Sequence, residues 1–185
     1  MFFLRYIGCC LIACNILLIA QPSLGFDEAD LERFKTSNSC PGCDLRKANL
    51  SWLDLRGADL SGADLRKAQL IRTNLRNTTL TEADLRHAKL KGAKLGRADL
   101  RGAKLDKEAL KGKDLEGARL LGTDLRGFDL TGTILKGANL WGADFRGANL
   151  EGAILEDAIL EDAILSGAIL EGANLRDTDL RDADL

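Results

Sequence analysis

The 185-residue sequence has no valine, a single histidine, a single methionine, a single tyrosine and only two prolines. One imidazole excludes a His-ligated metal cluster and any site that needs two imidazoles. Charge of either sign is in no large excess: 26 Lys and Arg face 28 Asp and Glu, and a net charge of −2 does not by itself indicate nucleic acid or a membrane surface. What is present is a chain that is 45% hydrophobic and 29% charged, the composition of a folded protein, and of a length suited to one domain.

The first 25 residues stand apart. Arg5 precedes an apolar run of 14 residues from Ile7 to Ala20, followed by Gln21, Pro22, Ser23 and Gly25. Small residues at Ser23 and Gly25 place a signal-peptide cut after Gly25. Two other readings stay open, an uncleaved anchor, for which the run is short, and a lipoprotein signal at Leu11-Ile12-Ala13-Cys14, after which the chain stays apolar through Ile19. Cleavage removes Cys9, Cys10 and Cys14 and leaves Cys40 and Cys43 in an exported chain. Export permits a disulfide between them; free thiols and a redox or metal role are the alternatives. A thioredoxin-like Cys-x-x-Cys belongs to a βαβ context, which does not follow Cys43.

From Leu45 to Leu185 a large apolar residue recurs at every fifth position, 28 Leu and Phe145, without a slip. Two residues before each the residue is usually Ala, as in Ala58 and Ala63, or Thr, as in Thr73 and Thr123. A period of five suits neither a helix stripe nor a flat strand, because five residues turn about 500° on a helix and alternate faces on a strand. Ala-x-Leu reads as three residues of strand pointing in, out and in, and the next two residues, often ending in Gly, read as a turn. Asp-x-Arg triplets at 44–46, 64–66, 84–86, 124–126 and 144–146, with Lys104 and Asp106 reversed between them, point to a coil of twenty residues. Triplet 54–56 also fits a spacing of ten.

Units such as Ala58-Asp59-Leu60-Ser61-Gly62 and Ala63-Asp64-Leu65-Arg66-Lys67 resemble the pentapeptide-repeat family over residues 44–185. The resemblance implies an all-β fold, a right-handed quadrilateral β-helix of about seven coils. Its core column would include Leu45, Leu65, Leu85, Leu105, Leu125, Phe145, Leu165 and Leu185. Residues 1–25 are then the signal peptide, 26–39 a short N-terminal helical cap with Leu31 and Phe34 on one face, and 40–185 the repeats. The start is similar to exported cyanobacterial members in which a short acidic helix leads into Cys-Pro-Gly-Cys-Asp-Leu, which implies the periplasm or the thylakoid lumen.

The outward positions carry the functional expectations. Ile154, Ile159, Ile164 and Ile169 occupy four consecutive repeats and would form an apolar belt, a candidate surface for a protein partner or for a homodimer through the C-terminal coils. Residues 44–150 carry a net +7 and residues 151–185 a net −8. Glu108 and Lys113 stand where Ala is usual, and two unpaired charges cannot remain in an apolar core, so they must pair, snorkel or bulge outward. Trp52 and Trp141 lie at outward positions, as does His87, and Phe128 reads as packing variation. No catalytic, cofactor or metal site is expected. The expected function is a non-enzymatic exported structural or protein-interaction module, with no nucleic acid partner and no membrane association after signal cleavage. The alternatives are a DNA mimic that binds gyrase, as some family members do, and a thiol-redox protein using Cys40 and Cys43. A net-positive body and export both argue against gyrase.

Overall fold

The structure, a computed structural model, describes residues 27–185. The expected signal peptide and the side chain of Leu31 lie outside the described residues. From Ser39 onward the chain advances in coils of twenty residues, with parallel bridges pairing residue i with i+20 from Ser39 with Asp59 to Ile164 with Asp184. Each outward residue of a strand triplet sits at a bridge, and the residues on either side of it point inward. Four five-residue units complete a coil, so the rod has four faces. Face 1 runs through Leu45, Leu65 and Leu85, face 2 through Leu50, face 3 through Leu55 and face 4 through Leu60, each repeating every twenty residues.

The turn between faces imposes a second constraint. From Gly42 to Asp182, the second residue after each inward Leu, and after Cys40 and Phe145 in the same column, has a positive φ of 55–72°, with Lys107 as the exception. Gly fills sixteen of these places, but Lys67, Arg72, Glu82 and Asp157 are held in the same left-handed conformation, which disfavours a residue with a Cβ. Inward Thr residues meet the core by bonding to backbone. Thr73, Thr78 and Thr133 are buried and donate to the carbonyls of Leu50, Leu55 and Leu110, at 2.8, 2.9 and 3.0 Å.

The two ends differ. Helix α1, Glu28–Ser37, begins at Asp27, whose carboxylate accepts the Ala29 N–H at 2.8 Å, and ends at Asn38 with φ 52°. Acidic Glu28 and Asp30 sit in its first turn, where the helix dipole favours negative charge. Asp30 fastens α1 to the first strand by accepting the Asp44 N–H at 2.8 Å. Phe34 is 2% exposed against the core, and Leu45, Leu50, Leu55 and Leu60 beneath this end are fully buried. At the other end burial fades. Leu165 is buried, Leu170, Leu175 and Leu180 are half-buried, and Leu185 is 76% exposed. Leu185 therefore departs from the expectation of a core residue, because no further coil lies over it in this structure.

Leu45, Leu65, Leu85, Leu125, Phe145 and Leu165 are all buried in one continuous core. Leu105 also departs from the expectation and is only half-buried. The cause lies just after it. Residues 106–112 leave the repeat geometry, with Ala109 donating to the Asp106 carbonyl at 2.9 Å, and Glu108 turns out to solvent. Lys113 stays half-buried, and desolvation lowers the pKa of its ammonium from the usual lysine value. Two repairs are visible. The Asp106 carboxylate takes the His87 N–H at 2.6 Å in place of a backbone carbonyl, and the Asp129 N–H bonds to the Lys107 carbonyl at 2.9 Å, one residue out of register.

Leu85→Ala is expected to cost about 2–5 kcal/mol in urea unfolding, by lost burial and the cavity left behind. Thr78→Val should cost roughly 1 kcal/mol by removing a buried hydrogen bond. Glu82→Gly should instead stabilise by about 0.5–1 kcal/mol, by relieving the left-handed backbone.

Candidate functional site

The five-residue period brings residues distant in sequence into columns along each face. On face 1 the Asp-x-Arg triplets stack into a ladder. Arg66 grips Asp64 at 2.5 Å and reaches Asp84 in the next coil at 3.8 Å; Arg46 does the same with Asp44 and Asp64, at 2.5 and 3.7 Å. The pattern resumes at Arg126, which meets Asp124 at 2.6 Å and Asp144 at 3.7 Å. Hydrogen bonds from the neighbouring Arg side chain hold the carboxyls of Asp44, Asp64, Asp84 and Asp144 below the usual aspartate range. The Arg126 side chain brings Asp124 down to about 2.

Beside this ladder runs a groove of about 360 Å³ lined by Arg46, Lys47, Arg66, Lys67, Arg86 and His87. The three Arg are neutralised in part by their Asp partners, whereas Lys47 and Lys67 make no ion pair among the described residues. The groove is thus a strip of positive potential running along the rod. His87, read from sequence as an ordinary surface residue, lies in its wall, 3.4 Å from the Asp106 carboxylate. Sequence reasoning registered the Asp-x-Arg column but not the groove, which exists only once residues twenty apart become neighbours.

The other candidates are dispersed. Ile154, Ile159, Ile164 and Ile169 fall one to each face, and Ile169 is the most exposed at 52%. They encircle the rod, so a flat partner reaches only neighbouring members. Ile134 pairs with Ile154 on face 3, making two apolar residues adjacent there. Trp52 is exposed with the Arg72 guanidinium 4.6 Å above its ring, a cation–π contact. Cys40 and Cys43 are fully buried and joined as a disulfide, with Cα atoms 5.4 Å apart. Their sulfurs and an Asp30 oxygen lie within 4.8 Å of one another. That cluster is already occupied: the sulfurs bond to each other, Arg33 Nη2 sits 2.6 Å from the Cys43 sulfur, and Asp30 is engaged with Arg33 and the Asp44 N–H. No helix among the described residues is long and apolar enough to cross a membrane.

The pentapeptide-repeat family model matches eight copies, in overlapping stretches from residue 43 to residue 182. The chain belongs to the pentapeptide-repeat family. Pentapeptide-repeat proteins fold as right-handed quadrilateral β-helices, which accounts for the four faces and the twenty-residue coil. The chain is 37% identical to HetL, a pentapeptide-repeat protein involved in heterocyst differentiation regulation from the cyanobacterium Nostoc sp. strain PCC 7120, over 75% of this chain and 72% of that one, with a TM-score of 0.36. It is 25% identical to a pentapeptide-repeat protein of the Arabidopsis thaliana thylakoid lumen, over 66% of this chain and 69% of that one, with a TM-score of 0.26. The plasmid-mediated fluoroquinolone resistance protein QnrB1 is 23% identical over 74% of this chain and 77% of that one, with a TM-score of 0.42. No curated protein sequence matches significantly.

The lowered carboxyl pKa values set the pH response of this pentapeptide-repeat rod. Groups depressed in the folded state stabilise it fully above the unfolded carboxylate range, near pH 4, and lose that contribution as pH falls through the folded value, about 2 for Asp124. The thermal midpoint should therefore be level from pH 7 to about 5 and fall between about pH 4 and 2. Circular dichroism melts check this, and Arg126→Gln should make the fall shallower.

Proposed function

We propose that the chain is an exported, non-enzymatic protein-interaction module whose basic groove on face 1 receives an acidic segment of a protein partner. The observation that carries this reading is the column of six basic side chains in which Lys47 and Lys67 lack ion-pair partners among the described residues. Charges held in a concave strip raise the encounter rate with an oppositely charged partner and fix its register. Export rests on the N-terminal apolar run with its small-residue cut after Gly25, and on the Cys40–Cys43 disulfide, a bond suited to an oxidising compartment. The periplasm and the thylakoid lumen both meet that condition.

Self-association through the C-terminal coils is a second proposal. It is supported by the exposed Ile154, Ile159 and Ile169, with half-buried Ile164 between them, around the C-terminal coils. Light scattering on residues 26–185 tests it against the Ile159→Asp, Ile164→Asp variant; a dimer is expected, and a monomer at all salt concentrations overturns it.

The groove is tested by calorimetric titration with an oligoglutamate peptide and, separately, with a short DNA duplex. Affinity for the peptide should fall about tenfold in Lys47→Glu, Lys67→Glu, corresponding to about 1.4 kcal/mol, and should weaken with salt. No peptide binding at low salt, or a clear preference for the duplex, would sink the protein-partner reading.

A further inference from the structure

Face 1 carries a gap that the repeat does not predict. At every regular position two backbone hydrogen bonds join a strand triplet to the one twenty residues on: between Ala83-Asp84-Leu85 and Lys104, the Lys104 N–H donates to Ala83 and the Leu85 N–H donates to Lys104, both at 2.8 Å. Between Ala103-Lys104-Leu105 and Thr123-Asp124-Leu125 neither bond is made, and the bridge from 104 to 124 is missing among the described residues. Both strands keep their outer neighbours. Leu125 still donates to Asp144 at 2.8 Å, and Asp144 to Thr123 at 3.1 Å. On face 1 the coils part only here among the described residues, beside the outward excursion of residues 106–112, along which the bridges from 89 to 109, 94 to 114 and 109 to 129 are missing as well.

The parting opens a cleft of about 750 Å³, within the size range of ligand sites. Ala103 and Leu105 form a half-exposed apolar floor, and Phe128 is buried at its side. Thr123 shows the same lost contact from its side chain. Its hydroxyl is buried, the residue being 5% exposed, yet it has no hydrogen-bond partner, whereas Thr73, Thr78, Thr133 and Thr178 each donate to the carbonyl 23 residues earlier. Lys104 and Lys107 are exposed at the rim and make no ion pair among the described residues, while Arg126 is taken by Asp124 and Asp144.

We propose that this cleft binds an extended acidic peptide segment, inserted as an additional strand between the two parted coils. The open N–H groups of Leu105 and Asp124 and the carbonyls of Ala103 and Asp124 are the complement of an extended main chain. Strand alternation then turns one side chain of the peptide onto Leu105, Ala103 and Phe128, which selects an apolar residue, and turns its neighbours outward to Lys104 and Lys107, which selects carboxylates. The recognised pattern is acid, apolar, acid. The inference is independent of the basic groove, which lies on other coils of the same face.

The test uses the full mature chain, residues 26–185, labelled with nitrogen-15, and the acetylated, amidated probe Glu-Ile-Glu-Leu-Glu. Binding should shift the amide resonances of Leu105 and Asp124. A probe N-methylated at its Ile and Leu nitrogens should bind at least tenfold more weakly, and Lys104→Glu, Lys107→Glu should weaken the parent probe about tenfold. Glu108→Ala, Lys113→Ala removes the charges that hold residues 106–112 outward. This variant should restore the 104 to 124 bonds, seen as slowed amide exchange at Leu105 and Asp124, and lose probe binding with them. The proposal is overturned if millimolar probe leaves those two amides unmoved, if N-methylation makes no difference, or if decanoate occupies the cleft and the peptide does not.

Discussion

Most of the backbone bonds in this rod join a coil to the one before it or after it, through strand triplets aligned at twenty-residue intervals, and the rest close the turn within each five-residue unit. The inward Leu column and the Ala or Thr beside it depend on that alignment, since a slip of one residue would turn Leu outward. The alignment in turn depends on turns of equal length, which is why a left-handed residue recurs at each corner even where the side chain there is Lys, Glu or Asp. Local backbone cost is accepted so that core layers remain in register. The cost falls on exposed positions, where no packing is disturbed.

A solenoid of this kind has to close off its core at the ends. Helix α1 and the short Cys40–Cys43 loop do so at one end: Phe34 lies over the first layer, and Asp30 ties the helix to the backbone of Asp44. The contrast with Leu170, Leu175, Leu180 and Leu185 shows what a layer looks like without that cover. Arg33 of α1 donates to the Cys43 sulfur, a contact between the helix and the disulfide loop.

Much of the architecture was legible because its signal is repeated. A Leu at every fifth position admits few ways of burying them all, and the Asp-x-Arg spacing of twenty corresponds to ion pairs that run within and between coils. Glu108 and Lys113 announced a disturbance, since charge at an inward position cannot stay unpaired. The site itself was less legible. Lys47, Lys67 and His87 look like separate surface residues until coiling sets them in one groove wall. Leu105 is indistinguishable in sequence from Leu85 or Leu125, and its exposure follows from lost bonds between neighbouring backbones, a property no side chain encodes. Thr123 likewise matches Thr73 in sequence and differs only because the coil above it has moved away.

The missing pair of bonds that would join Ala103 and Leu105 to Asp124 has a mechanical consequence. The inter-coil bonds lie along the rod, so a pull on its two ends loads them one layer after another, and each released coil of twenty residues yields about 70 Å of slack chain. Tension would part the rod at its thinnest layer first. The fold carries a fuse near its middle, with a stout N-terminal segment above it and a separately stacked segment below, and each can keep its own layers when the other gives way.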